Sequence, residues 1–460
     1  MKKIIGAAAL MIGLGTMTIL ADNTAKAAED TIVVEINEEN FPDDIFRDYI
    51  LNGSHYIWDE EGNQIEVVYD ANKDGKLSES ELANIHQILV SESGISDLTG
   101  IEYFTSVIEL DCQRTPIKTL DVSALTELQI LNCYKCELEG TLDLSGNVKL
   151  EGVACHGNRN LTAINVTNCP VLSSLDFSST GVTTIDLSKN IKLQQLACAD
   201  TAITELDLSS NAGLMNLACY NTQITELDLS KNVILEYIDC SNNNISALDI
   251  SNNPELTYLL IPGTNIEGID VSELTKLTHI SVTGGNIAWL NVGNNPNLQV
   301  SADENTISMT VPAGSFDITE MLPGIDAGKI TIVSGAEING NIISGYTEGT
   351  PIVYTYNCGT SSAGETILNV TVNLETAEDQ RKPDDGTQDA VTPPDNNKND
   401  TPTVPDSDKD NAGTTKKPNV NKVKKTPATG DTTNVMILLL TLGVSGCVIE
   451  AVVVMKKRNR

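Results

Sequence analysis

A leucine pattern that recurs about every 21 residues constrains this chain more than any other feature of its sequence. One copy runs from Leu193 to Asn211 and contains, in order, Leu193, Leu196, Cys198, Ile203, Leu206, Asp207, Leu208, Ser209 and Asn211. Copies in the same phase begin at Ile85, Val107, Leu128, Leu150, Leu172, Leu193, Leu214, Leu235, Leu256, Leu277 and Leu298. Spacing this regular is the sequence signature of a repeat architecture, here with about ten coils of 21 or 22 residues.

The apolar residues of each copy fall into two rows. The first segment, as in Leu193–Cys198, has the alternation of a short strand, and the second, as in Ile203–Leu208, supplies apolar side chains for the opposite wall of the coil. One coil cannot bury both rows alone, whereas stacked coils bury them continuously. We therefore expect residues 85–300 to form a solenoid with a cap at each end, in an α+β chain that is mostly β.

These copies resemble the leucine-rich repeat family, and in particular the short coils of internalins, which are bacterial surface proteins. The repeats that carry the resemblance cover nearly half of the chain. The resemblance implies a secreted protein on the surface of a Gram-positive bacterium that adheres to a host or to a neighbouring cell.

The beginning of the chain is predicted to be a signal peptide spanning residues 1–27. Two lysines precede an apolar stretch from Ile4 to Leu20, and small residues surround Ala27. This is the order of a secretory signal with its cleavage site, and an uncleaved membrane-spanning start is the alternative.

The end of the chain, residues 426–460, combines a short motif, an apolar run and a basic terminus. The motif is Thr426-Pro427-Ala428-Thr429-Gly430, the apolar run extends over 435–455, and four basic residues follow between 456 and 460. This order resembles a Gram-positive sorting signal, which implies that a sortase cuts between Thr429 and Gly430 and joins Thr429 to peptidoglycan. Pro427 matches that motif, whereas Thr426 stands where leucine is commonest. A plain transmembrane helix is the alternative.

The preceding residues, 375–425, are predicted to be a disordered linker that crosses the cell wall. They consist mainly of Pro, Asp, Asn, Thr and Lys and contain almost no large apolar side chains, so they cannot form a core.

The net charge of −34 narrows the classes of partner. A surface this acidic repels nucleic acid and anionic membranes and favours cations or basic partners, although such a charge also keeps an exported protein soluble.

Six of the ten cysteines occupy one inward position of the coil, which Phe177, Ile261 and Val282 fill elsewhere. This exchange with larger apolar residues is typical of a small buried hydrophobic side chain, so we expect free thiols. Disulfides between neighbouring coils and a metal-binding ladder are the alternatives. The six are Cys112, Cys133, Cys155, Cys198, Cys219 and Cys240.

Residues 31–84 are predicted to form the N-terminal cap and to contain a calcium loop. The segment from Asp70 to Glu81 matches the pattern D-x-[DN]-x-[DN]-G-x5-E and resembles an EF-hand loop. The segment that enters it, Gln64–Tyr69, is poor helix material, so half an EF-hand is expected. An Asx-rich turn without metal is the alternative. The donors to Ca²⁺ would be the side chains of Asp70, Asn72, Asp74 and Glu81 and the main-chain carbonyl of Lys76.

Exposed strand residues are predicted to form a ligand-binding concave face. Tyr220, Tyr237 and Tyr258 fall on three successive coils, and exposed tyrosine combines apolar area with a polar tip, as recognition surfaces require. Strands also favour tyrosine for packing reasons alone. The candidate ligand-binding residues are Tyr134, Tyr220, Tyr237, Tyr258, Leu260 and His279.

A row of aspartates occupies another fixed position of the repeat, and Asn165 and Asn291 stand in the same phase. Stacked carboxylates could bind cations, but because asparagine serves equally well we expect these side chains to accept hydrogen bonds from turn amides. The row is Asp121, Asp143, Asp186, Asp207, Asp228, Asp249 and Asp270.

Beyond Val300 the repeat is lost. Residues 302–374 show short alternating runs separated by glycines, which predicts a small β-sandwich that resembles the immunoglobulin-like cap of internalins. The chain has four histidines and no G-x-S-x-G, H-E-x-x-H or phosphate-loop motif, so no enzyme is expected. The sequence predicts a binder of an extracellular protein or glycan. A structural wall protein that contacts peptidoglycan or another copy of itself is the alternative.

Overall fold

The computed structural model describes residues 30–58, 64–303 and 305–376. The chain divides into two compact units, one of Met1–Asn244 with Asp249–Leu256 and one of Ile245–Leu248 with Thr257–Arg460. The predicted signal peptide, the linker beyond residue 376 and the sorting residues Pro427, Thr429 and Gly430 lie outside the described residues. No helix in the part of the chain that the structure describes is long and apolar enough to span a membrane.

The first unit contains β1 (Ile32–Glu35), α1 (Asp44–Asn52), β2 (Ser54–Trp58), β3 (Gln64–Val68), β4 (Lys76–Ser78), α2 (Glu79–Asn84), β5 (Gln87–Leu89), a 3₁₀ turn (Ile101–Tyr103), β6 (Glu109–Asp111), β7 (Ile130–Asn132), β8 (Glu139–Asp143), β9 (Gly152–Ala154), β10 (Asn160–Asn165), β11 (Ser174–Asp176), β12 (Gln195–Ala197), β13 (Asn216–Ala218) and β14 (Tyr237–Asp239).

The second unit contains β15 (Tyr258–Leu260), β16 (Gly268–Asp270), β17 (His279–Ser281), β18 (Trp289–Asn291), β19 (Gly293–Asn294), β20 (Gln299–Ser301), β21 (Asn305–Val311), β22 (Ser315–Asp317), α3 (Ile318–Met321), a second 3₁₀ turn (Ala327–Lys329), β23 (Ile330–Ser334), β24 (Glu337–Asn339), β25 (Ile342–Ser344), β26 (Ile352–Ser361) and β27 (Gly364–Thr376).

The N-terminal segment is built from two short pairs of strands and two helices. β1 pairs with β4 and β2 pairs with β3, both antiparallel. Asp43 caps α1 by accepting hydrogen bonds from the N–H groups of Ile45 and Phe46, and the helix buries Phe46 and Ile50. The candidate calcium loop is preceded by a strand, β3, and followed by the six-residue helix α2.

The coils of the first unit form a parallel sheet whose register equals the sequence period. Leu196 lies opposite Leu217, and Leu217 lies opposite Ile238. The ladder continues past the strands, since the Asp200 N–H donates to the Tyr220 carbonyl at 3.0 Å. The predicted fold class, a mostly β leucine-rich repeat solenoid of about ten coils, is confirmed.

Each coil turns just after its strand through a residue of positive φ. Ser179, Asp200, Asn221 and Asn242 have φ between 52 and 56°, a left-handed conformation that short polar residues tolerate better than branched ones.

A row of buried asparagines joins successive coils of the first unit. Asn211 is fully buried, and its Nδ2 donates to the carbonyls of Leu187 at 3.2 Å and of Asn190 at 2.9 Å. Cys169 stands in the same row and donates from its Sγ to the Leu144 carbonyl at 3.3 Å. The members that donate twice are Asn147, Asn190, Asn211, Asn232 and Asn253.

The cysteines and the aspartate row lie as the sequence predicts. The nine cysteines of the described residues are all free and buried. In the aspartate row, Asp207 accepts from the Ser209 N–H at 2.9 Å, and the hydroxyl and N–H of Ser209 hold the pKa of Asp207 below its usual value. The other six aspartates accept the corresponding N–H two residues on, so this row consists of turn-stabilising groups.

In the second unit, β15, β17 and β20 continue in parallel order, and the last coil is joined to the C-terminal strands. Gly293 of β19 pairs with Gly359 of β26, and the Tyr354 hydroxyl donates to the Ala288 carbonyl at 2.8 Å. β26 also pairs with β23 and β27, β27 pairs with β21, and β22, β25 and β24 form a separate sheet. The immunoglobulin-like character of residues 302–374 stays a prediction.

Candidate ligand-binding face

The strand residues that alternate with the buried ones form what we call the sheet face. In the first unit its principal feature is a pair of stacked rings on neighbouring coils. The rings of Tyr134 and His156 lie 4.4 Å apart, centroid to centroid, at 10° to each other. Both residues follow their strands by two positions, so alternation places them on the sheet face and the parallel register brings the rings together.

Charged groups hold this ring pair at both ends. The Arg114 guanidinium lies 5.8 Å from the centre of the Tyr134 ring, and its Nη1 is 2.5 Å from Oε1 of Glu92. At the other end, Nδ1 of His156 is 3.0 Å from Oδ2 of Asp176. The result is a continuous series of polar and aromatic contacts across neighbouring coils, which we call the Tyr134–His156 cluster.

The pKa of Asp176 shows which effect dominates at this end of the cluster. Burial alone would raise the pKa of this carboxyl group. The hydrogen bond and charge of His156, together with the hydroxyl and N–H groups of Ser178, outweigh burial and lower the pKa below its usual value. The carboxylate is therefore kept charged and fixed in position.

Further along the same face, Tyr220, Tyr237 and Asp239 form a more buried group. Burial, the Asp239 charge and the neighbouring Tyr220 raise the pKa of Tyr237. Burial also raises the pKa of Asp239, although the hydroxyl and N–H of Ser241 donate to its Oδ1. The carboxylates of Asp200, Asp239 and Asp176 raise the pKa of the half-exposed Tyr220, after burial itself.

Two of the candidate tyrosines are buried. The prediction of an exposed tyrosine row was wrong for Tyr237, and Tyr134, a candidate outside that row, is buried as well. Tyr237 is 3% exposed and Tyr134 is 7% exposed. Tyr134 is covered because His156 stacks on its ring and Arg114 approaches it, and Tyr237 is buried near Asp239. A ligand would therefore meet Tyr220 and the edge of the cluster before it met these two rings.

The second unit repeats the ring pairing at a different place in the coil. Tyr258 and His279 stack at 4.2 Å and 6°, and each is the first residue of its strand. Nδ1 of His279 is 2.9 Å from the Thr278 hydroxyl. Both rings are half-buried, as is Leu260 at the far end of the Tyr258 strand, so three predicted residues share one accessible surface.

Most of these residues were predicted from the sequence as ligand-binding candidates, but their pairing into ring stacks was not predicted. Tyr134 and His156 are 22 residues apart, and Tyr258 and His279 are 21 apart, so comparing equivalent positions of successive coils would have found both pairs. Arg114 and Asp176 were missed as partners because they stand at other positions of the coil than the rings they contact.

The candidate calcium loop folds back on itself. Asp70 is 1% exposed, and its two carboxylate oxygens accept from the N–H groups of Asp74 and Gly75, at 3.2 and 3.0 Å. Oε1 of Glu81 accepts from the Ala71 N–H at 2.9 Å, and its Oε2 accepts from the Ser78 N–H at 2.9 Å. Asn72 and Asp74 each accept the N–H two residues on.

The donor set of this loop is of the kind that calcium takes, since carboxylate, amide and carbonyl oxygens all lie within twelve residues. Its carboxylates as placed point at loop amides, and no group of three or more His, Cys, Asp or Glu side chains in the described ranges is arranged to hold a metal ion. Besides the buried Asp70, the loop contains three acidic residues, Asp74, Glu79 and Glu81. Calcium binding stays a prediction.

The fold defines a leucine-rich repeat solenoid, and solved structures of that kind resemble the chain. The functional domain of InlJ from Listeria monocytogenes, described as including a cysteine ladder, is 23% identical, with 76% of this chain and 100% of that chain covered and a TM-score of 0.40.

Two further internalins of Listeria monocytogenes are similar over less of the chain. InlF is 18% identical, with 59% of this chain and 93% of that chain covered and a TM-score of 0.36. Internalin C2 is 19% identical, with 61% and 100% covered and a TM-score of 0.34. No protein-family model matches the sequence, and no curated protein matches it.

Proposed function

We propose that this chain is a non-catalytic surface protein that binds an extracellular protein or glycan through its sheet face, as an adhesin does. The observation that carries the proposal is the half-buried Tyr258–His279 ring pair with Leu260 on the same strand as Tyr258. Rings that are already stacked lose little conformational entropy when a ligand packs on them.

The chemistry of the first unit supports a ligand with cationic or hydroxyl-rich groups. Tyr220 lies among the carboxylates of Asp176, Asp200 and Asp239. A basic protein segment would meet these charges, and the hydroxyl groups of a glycan would donate to them, whereas an anionic ligand would be repelled.

The test is a binding screen of the purified protein against host glycans, matrix proteins and peptidoglycan. His279→Ala and Tyr220→Ala should weaken binding at least tenfold, because each removes an accessible ring at a contact. Tyr258→Phe is the matched control, since it keeps the ring stack and should retain most of the affinity.

The alternative is a structural wall protein that contacts peptidoglycan or another copy of itself. Binding to peptidoglycan alone, unchanged by His279→Ala and Tyr220→Ala, would contradict the adhesin proposal and favour this alternative. Loss of envelope integrity on deletion of the gene would point the same way.

We also propose that the protein is exported and attached to the wall. The support is the sequence of residues 1–27 and the motif Thr426-Pro427-Ala428-Thr429-Gly430 with its apolar and basic tail. Deleting residues 435–460 should release the protein into the medium, and Thr429→Ala should remove it from the peptidoglycan fraction. Retention of Thr429→Ala in that fraction would contradict attachment by a sortase.

Calcium binding by residues 70–81 is a further part of the proposal. The donors would be Asp70, Asn72, Asp74, Glu81 and the carbonyl of Lys76. Calcium would neutralise the loop's carboxylates and thereby stabilise the N-terminal segment.

Glu81→Gln tests this most cleanly, because glutamine keeps an acceptor for the Ser78 N–H but removes one charged ligand. Calcium should raise the melting temperature of the unmodified protein and of Glu79→Gln, the matched control two residues away, but not that of Glu81→Gln. Equal calcium-dependent shifts in all three proteins would contradict the site.

A further inference from the structure

A line of exposed apolar side chains runs along the coils of the first unit, away from the sheet face. Between residues 107 and 256 every large hydrophobic side chain that is exposed lies on this line. The five, with their exposed fractions, are Val148 at 42%, Val171 at 42%, Ile191 at 59%, Val233 at 47% and Ile234 at 41%.

These residues share two turn positions, the first and second after the buried asparagine row or its Cys169 member. The turn is the same in successive coils, since the Leu193 N–H donates to the Asn190 carbonyl and the Leu214 N–H donates to the Asn211 carbonyl, both at 3.0 Å. The first position is apolar in six successive coils and exposed in each. Its occupants are Val148, Pro170, Ile191, Ala212, Val233 and Pro254.

We call these six residues, with Val171 and Ile234, the apolar ridge. Neighbouring coils are about 4.8 Å apart, so five steps give a length of roughly 24 Å. The fold does not require apolar side chains here, because Thr126 and Glu127 occupy the same two positions one coil earlier. Exposed hydrophobic residues that are scattered singly need no explanation, but a continuous row of them is typical of an interaction surface.

Size and charge along the ridge are self-complementary when its direction is reversed. When the order of the coils is reversed about the midpoint between Ile191 and Ala212, Ile191, the largest side chain of the row, lies against Ala212, the smallest. The reversal also places Val171 against Ile234, and it brings the Lys149 end against the Glu255 end. A two-fold axis generates such a reversal, and one patch then serves both partners.

We propose that the apolar ridge is a self-association surface on which a second copy of this chain packs in antiparallel register. The surface is independent of the proposed ligand-binding face. The patch is small and two chains of net charge −34 repel each other, so the dimer is weak at low ionic strength and is strengthened by salt, which screens the repulsion.

Sedimentation velocity over a range of protein concentrations, in low and in high salt, tests the proposal. We expect dimers that increase with concentration and with salt. Ile191→Glu should weaken dimerisation at least tenfold, because it buries a charge in the centre of the contact. Val333→Glu is the matched control: Val333 is 62% exposed but lies elsewhere, and its replacement should leave the dimer unchanged.

A protein that stays monomeric at all concentrations in high salt would overturn the proposal. Equal weakening by Val333→Glu and Ile191→Glu would also overturn it, because association would then not depend on the ridge. Ligand binding by Ile191→Glu should equal that of the unmodified protein, so this test and that of the proposed function can fail separately.

Cross-linking tests the register, since the cysteines of the described residues are buried. Val148→Cys and Pro254→Cys, mixed under mild oxidation, should form a disulfide-linked dimer beyond the background of the unmodified protein. Val148→Cys alone should not, because antiparallel packing keeps the two copies of residue 148 roughly 24 Å apart. Efficient cross-linking of Val148→Cys to itself would overturn the antiparallel arrangement.

Discussion

The coils of the first unit and the last coils of the second share one sequence period but are stabilised differently. In the first unit, Asn211 and Asn232 each donate two hydrogen bonds to the preceding coils. In the second unit, Leu274 occupies this row, and the next member, Asn295, donates one such bond, to the Leu277 carbonyl at 2.8 Å.

The second unit replaces this row with contacts to its C-terminal strands. The Val292 N–H donates to the Cys358 carbonyl of β26 at 2.8 Å. Between coils, the buried Trp289 packs so closely on Gly268 of β16 that a Cβ there would lie 2.0 Å from its ring. A repeated period therefore fixes where coils stack, while the groups that join them change along the chain.

The largest expected effect is at the junction of the last coil with β26. Gly359 has φ of +112°, and a Cβ at this position would lie 2.2 Å from the Gly293 carbonyl oxygen. Because the obstacle is backbone, Gly359→Ala should lower the free energy of unfolding of the second unit by about 4 kcal/mol. Urea unfolding measures this, followed by tryptophan fluorescence, since Trp289 lies in the second unit and the other tryptophan, Trp58, in the first.

Gly364→Ala is the control for that substitution. Gly364 also has positive φ, +96°, but a Cβ there meets no atom within 4 Å. Backbone strain alone should cost about 1 to 2 kcal/mol. Similar losses for the two variants would mean that close backbone contact does not hold the last coil.

A smaller effect is expected for the asparagine row of the first unit. Asn211→Ala removes two buried hydrogen bonds and leaves the carbonyls of Leu187 and Asn190 without these donors, which should cost about 3 kcal/mol. Asn295→Ala loses the half-buried bond to the Leu277 carbonyl and an exposed bond from the Asn297 N–H, and it should cost only about 1 kcal/mol. Hydrogen exchange of the coil amides locates each loss, and equal losses would contradict the contrast between the units.

The smallest effect is expected at the two ring pairs. The Tyr134–His156 pair contacts the carboxylate of Asp176, whereas the Tyr258–His279 pair contacts the hydroxyl group of Thr278. The folded-state pKa of Asp176 is below its unfolded value of about 3.9. Its stabilising effect is therefore present above that pH and is lost as the pH falls through the folded-state pKa. Asp176→Asn should cost about 2 kcal/mol at pH 7 and less at pH 3.

Asp239→Asn is the control, for which we expect the opposite dependence of stability on pH. Burial raises the folded-state pKa of Asp239, so ionisation destabilises the fold at neutral pH and stability is gained as the pH falls through that pKa. The asparagine variant should be as stable as the unmodified protein at pH 7, or more so. Urea unfolding at pH 3, 5 and 7 measures both variants, and a loss at pH 7 for Asp239→Asn would contradict the assigned sign.

Several features of the site were predictable because they depend on equivalent positions in neighbouring coils. The inward cysteines follow from their exchange with Phe177 and Ile261, and the turn role of the aspartate row follows from Asn165. Both predictions are confirmed. The role of the buried asparagines was not predicted, although Asn211 is part of the repeat, because the sequence does not reveal that its amide points at two carbonyls of preceding coils.

The sequence by itself determined the period, the inward and outward positions of each coil and hence the parallel register, since the coil length sets which residues lie side by side. The tertiary structure alone decided how exposed each outward residue is. Tyr237 and Tyr258 are both predicted to lie on the sheet face, yet Tyr237 is buried near Asp239 while Tyr258 remains partly accessible. The physical reason is that exposure depends on the size and charge of side chains on adjoining coils, which a repeat period does not specify.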